Sequence, residues 1–248
     1  MLADARLATR YRIPQADLDI DPSSTGKRVL ITGTSYGLGA SVSSYVRKRG
    51  DDVYSISRTP PDRDADERWV HADMGDPVQI REAVAQLEAM LAGATFDGVV
   101  INAALADKSR SQWTVDQVER HFRINALGPF ALWTELEERS LIGDPCNVVL
   151  MGSFLQNGNV RQPAYAMSKA ALWSWMRSYT MAQEPLAPVS MNMIWPGRVL
   201  TPANPMRELP AGDPNLFSTP ERVTEIVMTY LYQSRIGPRG TVVDLGRS

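Results

Sequence analysis

The sequence predicts an α/β protein built on a doubly wound, mainly parallel, seven-stranded sheet with helices on both faces. Three observations carry this expectation. Short apolar runs recur along the chain, segments with helical apolar spacing lie between them, and glycines follow the first run at once. Short continuous apolar runs suit strands buried on both faces, and parallel strands need crossover connections, which helices supply.

In chain order, residues 1–26 are polar, hold Pro14 and Pro22, and show no sustained period, so they read as an arm ahead of the fold. Residues 28–32 (RVLIT) read as a buried strand. Leu38, Val42, Tyr45 and Val46 then fall at helical spacing, and Gly50 after Arg47, Lys48 and Arg49 marks the stop. Residues 53–57 and 69–72 read as strands, and Asp76 followed by Pro77 reads as the cap and first position of a helix running to Leu91. Further strands are expected at 98–102, 148–152, 189–194 and 241–244, with helices near 114–139, 163–183 and 220–233. The stretch 202–219 holds Pro202, Pro205, Pro210 and Pro214 and reads as an irregular substrate lid.

At 248 residues and 44% hydrophobic content the chain buries one sizeable core, so residues 27–248 are expected to form one domain. A formal charge of -2 and a pI near 5.8 exclude a basic surface for nucleic acid or anionic lipid, which leaves small molecules as partners. Cys146 is the one cysteine, which rules out an intrachain disulfide; Asp-Pro-Cys-Asn-Val has no metal-ligand spacing, so a half-buried structural thiol is expected. His71 and His121 lack ligand partners and read as structural, with no metal site, and Met151, Met167, Met191 and Met193 read as core filler. No apolar run suits a secretory signal or a membrane span, so a soluble cytoplasmic protein is expected.

Thr32-Gly33-Thr34-Ser35-Tyr36-Gly37-Leu38-Gly39 lies between the first strand and first helix, where backbone amides and a positive helix end can hold a pyrophosphate. Taken alone, such glycines also serve a purely structural turn. Tyr165 and Lys169 are four residues apart in a helical stretch and so share one face. An ammonium beside a phenol stabilises the phenolate and brings its pKa toward the working range of a proton shuttle. Ser153, twelve residues upstream and directly after a strand, is placed to hydrogen-bond a reacting oxygen.

The Thr-Gly-x3-Gly-x-Gly spacing with Ser153, Tyr165 and Lys169 resembles the short-chain dehydrogenase/reductase family and its Rossmann fold, and the resemblance extends from Arg28 to Gly246. Asn102 and Ala103, in Val-Ile-Asn-Ala-Ala, resemble the family's Asn-Asn-Ala-Gly strand end, departing from it at Ile101 and Ala104. Asn192 to Thr201 resembles the run that shelters the nicotinamide.

The resemblance implies a nicotinamide cofactor on Gly33, Ser35, Tyr36, Gly37, Leu38, Gly39, Asn102, Ala103, Tyr165, Lys169, Pro196, Gly197, Val199 and Thr201. It further implies adenine contacts at Asp73 and Met74, and a water between Lys169 and solvent held by Asn125. The second strand ends in Ser57 and Arg58 with no carboxylate before Asp62, so Arg58 favours the 2′-phosphate of NADP(H) over NAD(H). Relatives that take NADP often carry a second basic residue where this chain has Tyr36.

The implied activity is reduction of a carbonyl, or oxidation of the matching alcohol, in a medium-sized and partly apolar metabolite, with Tyr165 moving the proton. Phe154, Leu155, Trp195 and Arg198 are the candidate substrate contacts, although Trp195 fits equally well packed under the sheet edge. The family also implies a homodimer or homotetramer, in which Trp173 or Trp175 meets a second copy or packs within the chain. Two other readings remain. One is a nucleotide sensor that binds NADP without turnover. The other is an epimerase or dehydratase, against which only 47 residues follow Thr201.

Overall fold

The computed structural model describes residues 25–61, 66–106, 114–159, 161–184, 187–199, 217–234 and 237–245. Seven strands form one parallel sheet in the order β3-β2-β1-β4-β5-β6-β9. They are β1 (Arg28–Thr32), β2 (Asp52–Ser57), β3 (Arg68–His71), β4 (Phe96–Ile101), β5 (Ile142–Met151), β6 (Val189–Trp195) and β9 (Val242–Asp244). The helices are α1 (Gly37–Lys48), α2 (Pro77–Leu91), α3 (Val115–Phe122), α4 (Gly128–Glu138), α5 (Pro163–Ala182) and α6 (Pro220–Leu231).

Alternation along the strands divides the core into two layers, because successive side chains of a strand point to opposite faces. Val29 and Ile31 of β1, Val100 of β4 and Val149 of β5 pack with Val42 and Val46 of α1 and Val223 and Val227 of α6. Leu30, Val99 and Leu150 pack on the other face with Ile80 and Leu87 of α2, Leu132 and Trp133 of α4, and Leu172 of α5. Each of these side chains contributes about 1.5–3 kcal/mol through its removal from water. Since both faces are covered, the central strands carry unbroken apolar runs.

The helix starts follow local chemistry. Asp76 accepts from the amides of Val78 at 2.9 Å and Gln79 at 3.3 Å, with Pro77 behind it, and the Gln79 amide holds the Asp76 carboxyl below the usual carboxylate range. Thr219 accepts from Arg222 N at 3.2 Å ahead of Pro220 in the same way.

Four expectations are corrected. The helix expected over 114–139 is broken: α3 ends at Phe122, a π-helical turn spans Arg123–Leu127, and α4 restarts at Gly128. A Cβ on Gly128 would lie 1.9 Å from the Met74 carbonyl oxygen, so α4 reaches the sheet edge only through that glycine. The fifth sheet strand begins at Ile142 rather than near Val148, and its pairing with β4 shifts register between Phe96 and Gly98, where Gly143, Asp144 and Pro145 obscure the strand pattern. Cys146 is fully buried in β5, and burial pushes its thiol up to about 12. The lid stretch is not irregular throughout: β7 (Arg198–Val199) and β8 (Phe217–Ser218) pair in parallel. Residues 201–216 and 1–24 lie outside the described residues.

Candidate active site

The strand order reverses direction between β1 and β4, and in open α/β sheets ligands bind at the carboxyl ends of strands flanking such a point. Gly33 to Gly39 follow β1 there. Gly33 has φ +76° and Gly37 φ +67°, left-handed values that favour glycine. Asn102, directly after β4, donates through Nδ2 to the carbonyls of Thr32 at 3.0 Å and Gly33 at 3.1 Å. The Thr32 hydroxyl accepts from the amides of Asn102 and Ala103, each at 3.0 Å. Turn and strand end are therefore stapled together.

Beside this turn lies a cavity of about 230 Å³ lined by residues that include Ser35, Tyr36, Ser57, Arg58, Asp73 and Asn102. Tyr36 precedes α1 without a side-chain cap, and the first turn of α1 carries no acidic residue. Helix α1 thus starts directly after the lining residues Ser35 and Tyr36, with no carboxylate in its first turn to compete for its free amides, which suits a pyrophosphate. Tyr36 is 65% exposed, Leu38 packs against the core, and Met74 is buried. The Arg58 guanidinium stands 3.8 Å from the Asp73 carboxylate, whose other oxygen accepts from Gly75 N at 2.8 Å.

Across the sheet edge, Tyr165 and Lys169 lie in the first two turns of α5, behind Pro163. The Lys169 ammonium is buried, donates to the Met151 carbonyl at 2.7 Å and sits over the Tyr165 ring, 5.9 Å from its centroid. Ser153 follows β5, accepts from Leu155 N at 3.2 Å and hydrogen-bonds the Tyr165 side chain. Asn125 occupies the π-helical turn. Its Oδ1 accepts from Leu105 N at 2.7 Å, and its Nδ2 donates to Leu105 O at 2.9 Å and Ser168 Oγ at 3.0 Å. Ser168 in turn donates to Tyr165 O at 2.8 Å, so one bonded chain joins the crevice residue Leu105 to the backbone of Tyr165.

Several electrostatic and positional expectations change on this geometry. The phenol of Tyr165 is not acidified: burial raises its pKa, and only the Ser153 hydrogen bond opposes that. The reason is placement, since the ammonium meets the ring face and a carbonyl rather than the hydroxyl. Burial lowers Lys169 itself to about 8. The Asn125 amide donates to Leu105 O and Ser168 Oγ and accepts from Leu105 N, so its side chain clamps the site. Trp195 is 5% exposed and belongs to the core, against Gly152, so the packed reading replaces a pocket wall. Phe154 and Leu155 are half-buried and Arg198 is exposed. Pro196 and Gly197, the latter at φ +69°, and Val199 follow β6, while Thr201 lies outside the described residues. Met167 is 46% exposed, not core filler, and Trp175 meets Phe130 of α4 edge to face within the chain.

His121 was legible only as an isolated histidine. It is fully buried in α3 with its ring 6.4 Å from that of Tyr165, edge to face. Its Nδ1 lies 2.7 Å from the Gln117 carbonyl, which can only accept, so Nδ1 carries the proton, and Nε2 has no partner among the described residues. The one available signal is its position four residues before Asn125, on the same helical face.

Buried lysine makes stability depend on pH in a definite sense. Between about 8 and 10.5 the native state has released the Lys169 proton while the unfolded chain retains it, so the unfolded state binds more protons and stability rises with pH. Below pH 8 the folded protein carries the full cost of the buried charge, about 3 kcal/mol from the shift between 10.5 and about 8. Thermal melts of wild type and Lys169→Met are expected to show this: relative to the variant, wild type gains stability from pH 8 to pH 10. A difference that is flat with pH would refute the buried charge.

The crevice at the sheet's reversal point and the Tyr-Lys helix beside it define a nucleotide-binding α/β class. Residues 27–209 match the family model of short chain dehydrogenase, and the chain belongs to that family. Over 219 residues it is 29% identical to the oxidoreductase YxnA of Bacillus subtilis, an alignment covering 81% of this chain but 61% of that protein. The chain therefore spans less than two thirds of that relative's length. Over 190 residues it is 30% identical to the cyclic-di-GMP-binding biofilm dispersal mediator protein of Escherichia coli, covering 73% of this chain and 76% of that one. Among solved structures, a short chain dehydrogenase from Burkholderia cenocepacia in complex with NADP superposes with a TM-score of 0.76 at 22% identity, covering 89% of this chain and 96% of that chain. Among the described residues, no cluster of histidine, cysteine or carboxylate side chains could hold a metal, and no helix is long and apolar enough to cross a membrane.

Proposed function

We propose that this chain is an NADP(H)-dependent oxidoreductase that reduces a carbonyl, or oxidises the matching secondary alcohol, of a medium-sized and partly apolar metabolite. One observation carries the reading: Ser153, Tyr165 and Lys169 converge at the carboxyl edge of β5 and are tied through Ser168 and Asn125 to the crevice residue Leu105. The cofactor, when bound, supplies or receives the hydride. Its pyrophosphate would lie on the amides between Gly33 and Gly39, its ribose phosphate on Ser35 and Arg58, and its adenine beside Asp73 and Met74.

The chain's own residues supply position and a proton. Ser153 and Tyr165 hydrogen-bond the substrate oxygen, and Tyr165 gives its hydroxyl proton to that oxygen as the carbon is reduced. Lys169, charged below about pH 8 and lying over the Tyr165 ring, would hold the nicotinamide ribose. Asn125 keeps Tyr165 in register through Ser168. The same reading treats residues 27–248 as one cytoplasmic domain after the arm 1–26, with 202–219 as the substrate loop. It also assembles copies of the chain through α4 and α5, where Phe130 is 50% exposed.

Following NADPH and NADH oxidation against a panel of aryl and alkyl ketones tests this. NADPH is expected to be preferred, and Arg58→Ala is expected to raise the KM for NADPH about tenfold while leaving that for NADH within about twofold. Preference for NADH in the wild type would remove the role given to Arg58. A second reading, an NADP-binding regulator without turnover, is favoured by the likeness to the cyclic-di-GMP-binding relative. It predicts NADP⁺ binding without oxidation of NADPH against any member of the panel.

A further inference from the structure

An unusual polar strip lies under the cofactor crevice, at the edge of the sheet. Glu67, just before β3, and Trp69 within it alternate onto one face and meet Ser55 and Ser57, the alternate residues of β2, with Ser55 registered opposite Trp69. Buried hydroxyls at a sheet edge are costly unless each is bonded. Here each is. The Glu67 carboxylate accepts from Thr34 at 2.7 Å, from Ser55 at 3.1 Å and from Ser43 of α1, fixing the glycine turn from below. Trp69 Nε1 donates to Ser57 Oγ at 2.9 Å.

The consequence lies in the direction of the protons. With Trp69 filling a lone pair, Ser57 directs its own proton to the Thr59 carbonyl at 2.5 Å. Ser35 sends its proton to the same carbonyl at 2.6 Å. Thr59, Ser35, Ser57 and Arg58 all line the cavity. This corner therefore presents two hydroxyl donors, both turned to the Thr59 oxygen, and beside them the Arg58 guanidinium. A phosphate ester, rich in lone pairs, can take all three donors. A ribose hydroxyl carries no charge and brings a proton of its own, so it gains less from these donors than a phosphate does.

We propose that Trp69 is a specificity-determining residue, which acts by holding Ser57 as a hydrogen-bond donor toward the 2′-phosphate of NADP(H). The proposal rests on the reading that this crevice binds NADP(H). Trp69 is not among the residues that line the cavity; it is a positioning residue for Ser57.

Calorimetric titration of NADP⁺ and of NAD⁺ into wild type, Trp69→Phe, Ser57→Ala and the double variant tests it without reference to turnover. Wild type is expected to bind NADP⁺ at least about tenfold tighter than NAD⁺, and either single variant to lower that ratio about fivefold. The double variant is expected to lower it no further, because both changes remove the same donor. If Trp69→Phe weakens both nucleotides equally, or leaves the ratio unchanged while Ser57→Ala lowers it, Trp69 is only part of the fold and the proposal is overturned. Should Trp69→Phe not fold, a ratio unaltered in Ser57→Ala overturns it as well. Wild type preferring NAD⁺ overturns the NADP reading beneath it, an outcome visible before any variant is made.

Discussion

Tyr165→Phe is expected to lower kcat by about a thousandfold while NADP⁺ affinity stays within about twofold. The substitution deletes one hydroxyl and keeps the ring. The edge contact with His121 and the ammonium over the ring face need only that ring, so the fold around α5 is retained and the volume-conserving change costs less than about 1.5 kcal/mol. What disappears is the proton donor and the bond to Ser153. The two directions of reaction also respond oppositely to pH. Reduction needs the phenol protonated, and burial raises its pKa, so wild-type reduction holds through neutral pH; alcohol oxidation needs the phenolate and rises as pH rises. Steady-state kinetics in both directions with calorimetric NADP⁺ titration check this. Turnover retained above about a tenth of wild type, more than the loss of a proton donor allows, would take Tyr165 out of the chemistry.

Much of the fold is legible in the sequence because buried parallel strands and capped helices leave local marks. Residues 28–32 form β1 as expected from RVLIT alone, and Asp76 with Pro77 opens α2 at the expected residue. Marks fail where tertiary packing overrides the local pattern. The π-helical turn at Arg123–Leu127 lies inside a continuous helical period, and only Asn125, a mediocre helix former, hints at a break. β5 starts early because pairing with Phe96 tolerates Gly143 and Pro145, which read as a loop. At the candidate site, motif spacing carried Ser153, Tyr165 and Lys169. It could not show that Lys169 would spend a proton on Met151, or that His121 and Trp69 would reach Tyr165 and Ser57, because those contacts join segments with no common period. Trp195 was undecidable for the same reason: a tryptophan ahead of Pro-Gly has a binding use and a packing use, and only its neighbours distinguish them.

Gly39→Ala is expected to be strongly destabilising and to spoil the glycine turn. A Cβ there would stand 2.0 Å from the carbonyl oxygen of Gly33 and 2.6 Å from Asn102 Nδ2. Neither target can swing aside. The Gly33 oxygen belongs to a turn whose φ of +76° is held from both sides, and Asn102 donates to that same oxygen at 3.1 Å. The methyl must therefore push α1 off β1 or tear the staple between the turn and β4, a backbone displacement costing about 2–4 kcal/mol. Gly50 supplies the contrast. Among the described residues nothing lies within 4 Å of a Cβ placed there, so Gly50→Ala bears the strain of φ +84°, about 1 kcal/mol. Melting curves with and without NADP⁺ separate loss of fold from loss of site. Nucleotide at a hundred times its Kd stabilises a binding protein by about 2.7 kcal/mol, so wild type and Gly50→Ala should both show that shift. Gly39→Ala should melt lower and show little or none of it, because the amides that receive the pyrophosphate have moved. A full nucleotide-induced shift in Gly39→Ala would mean that the pyrophosphate does not rest on this turn.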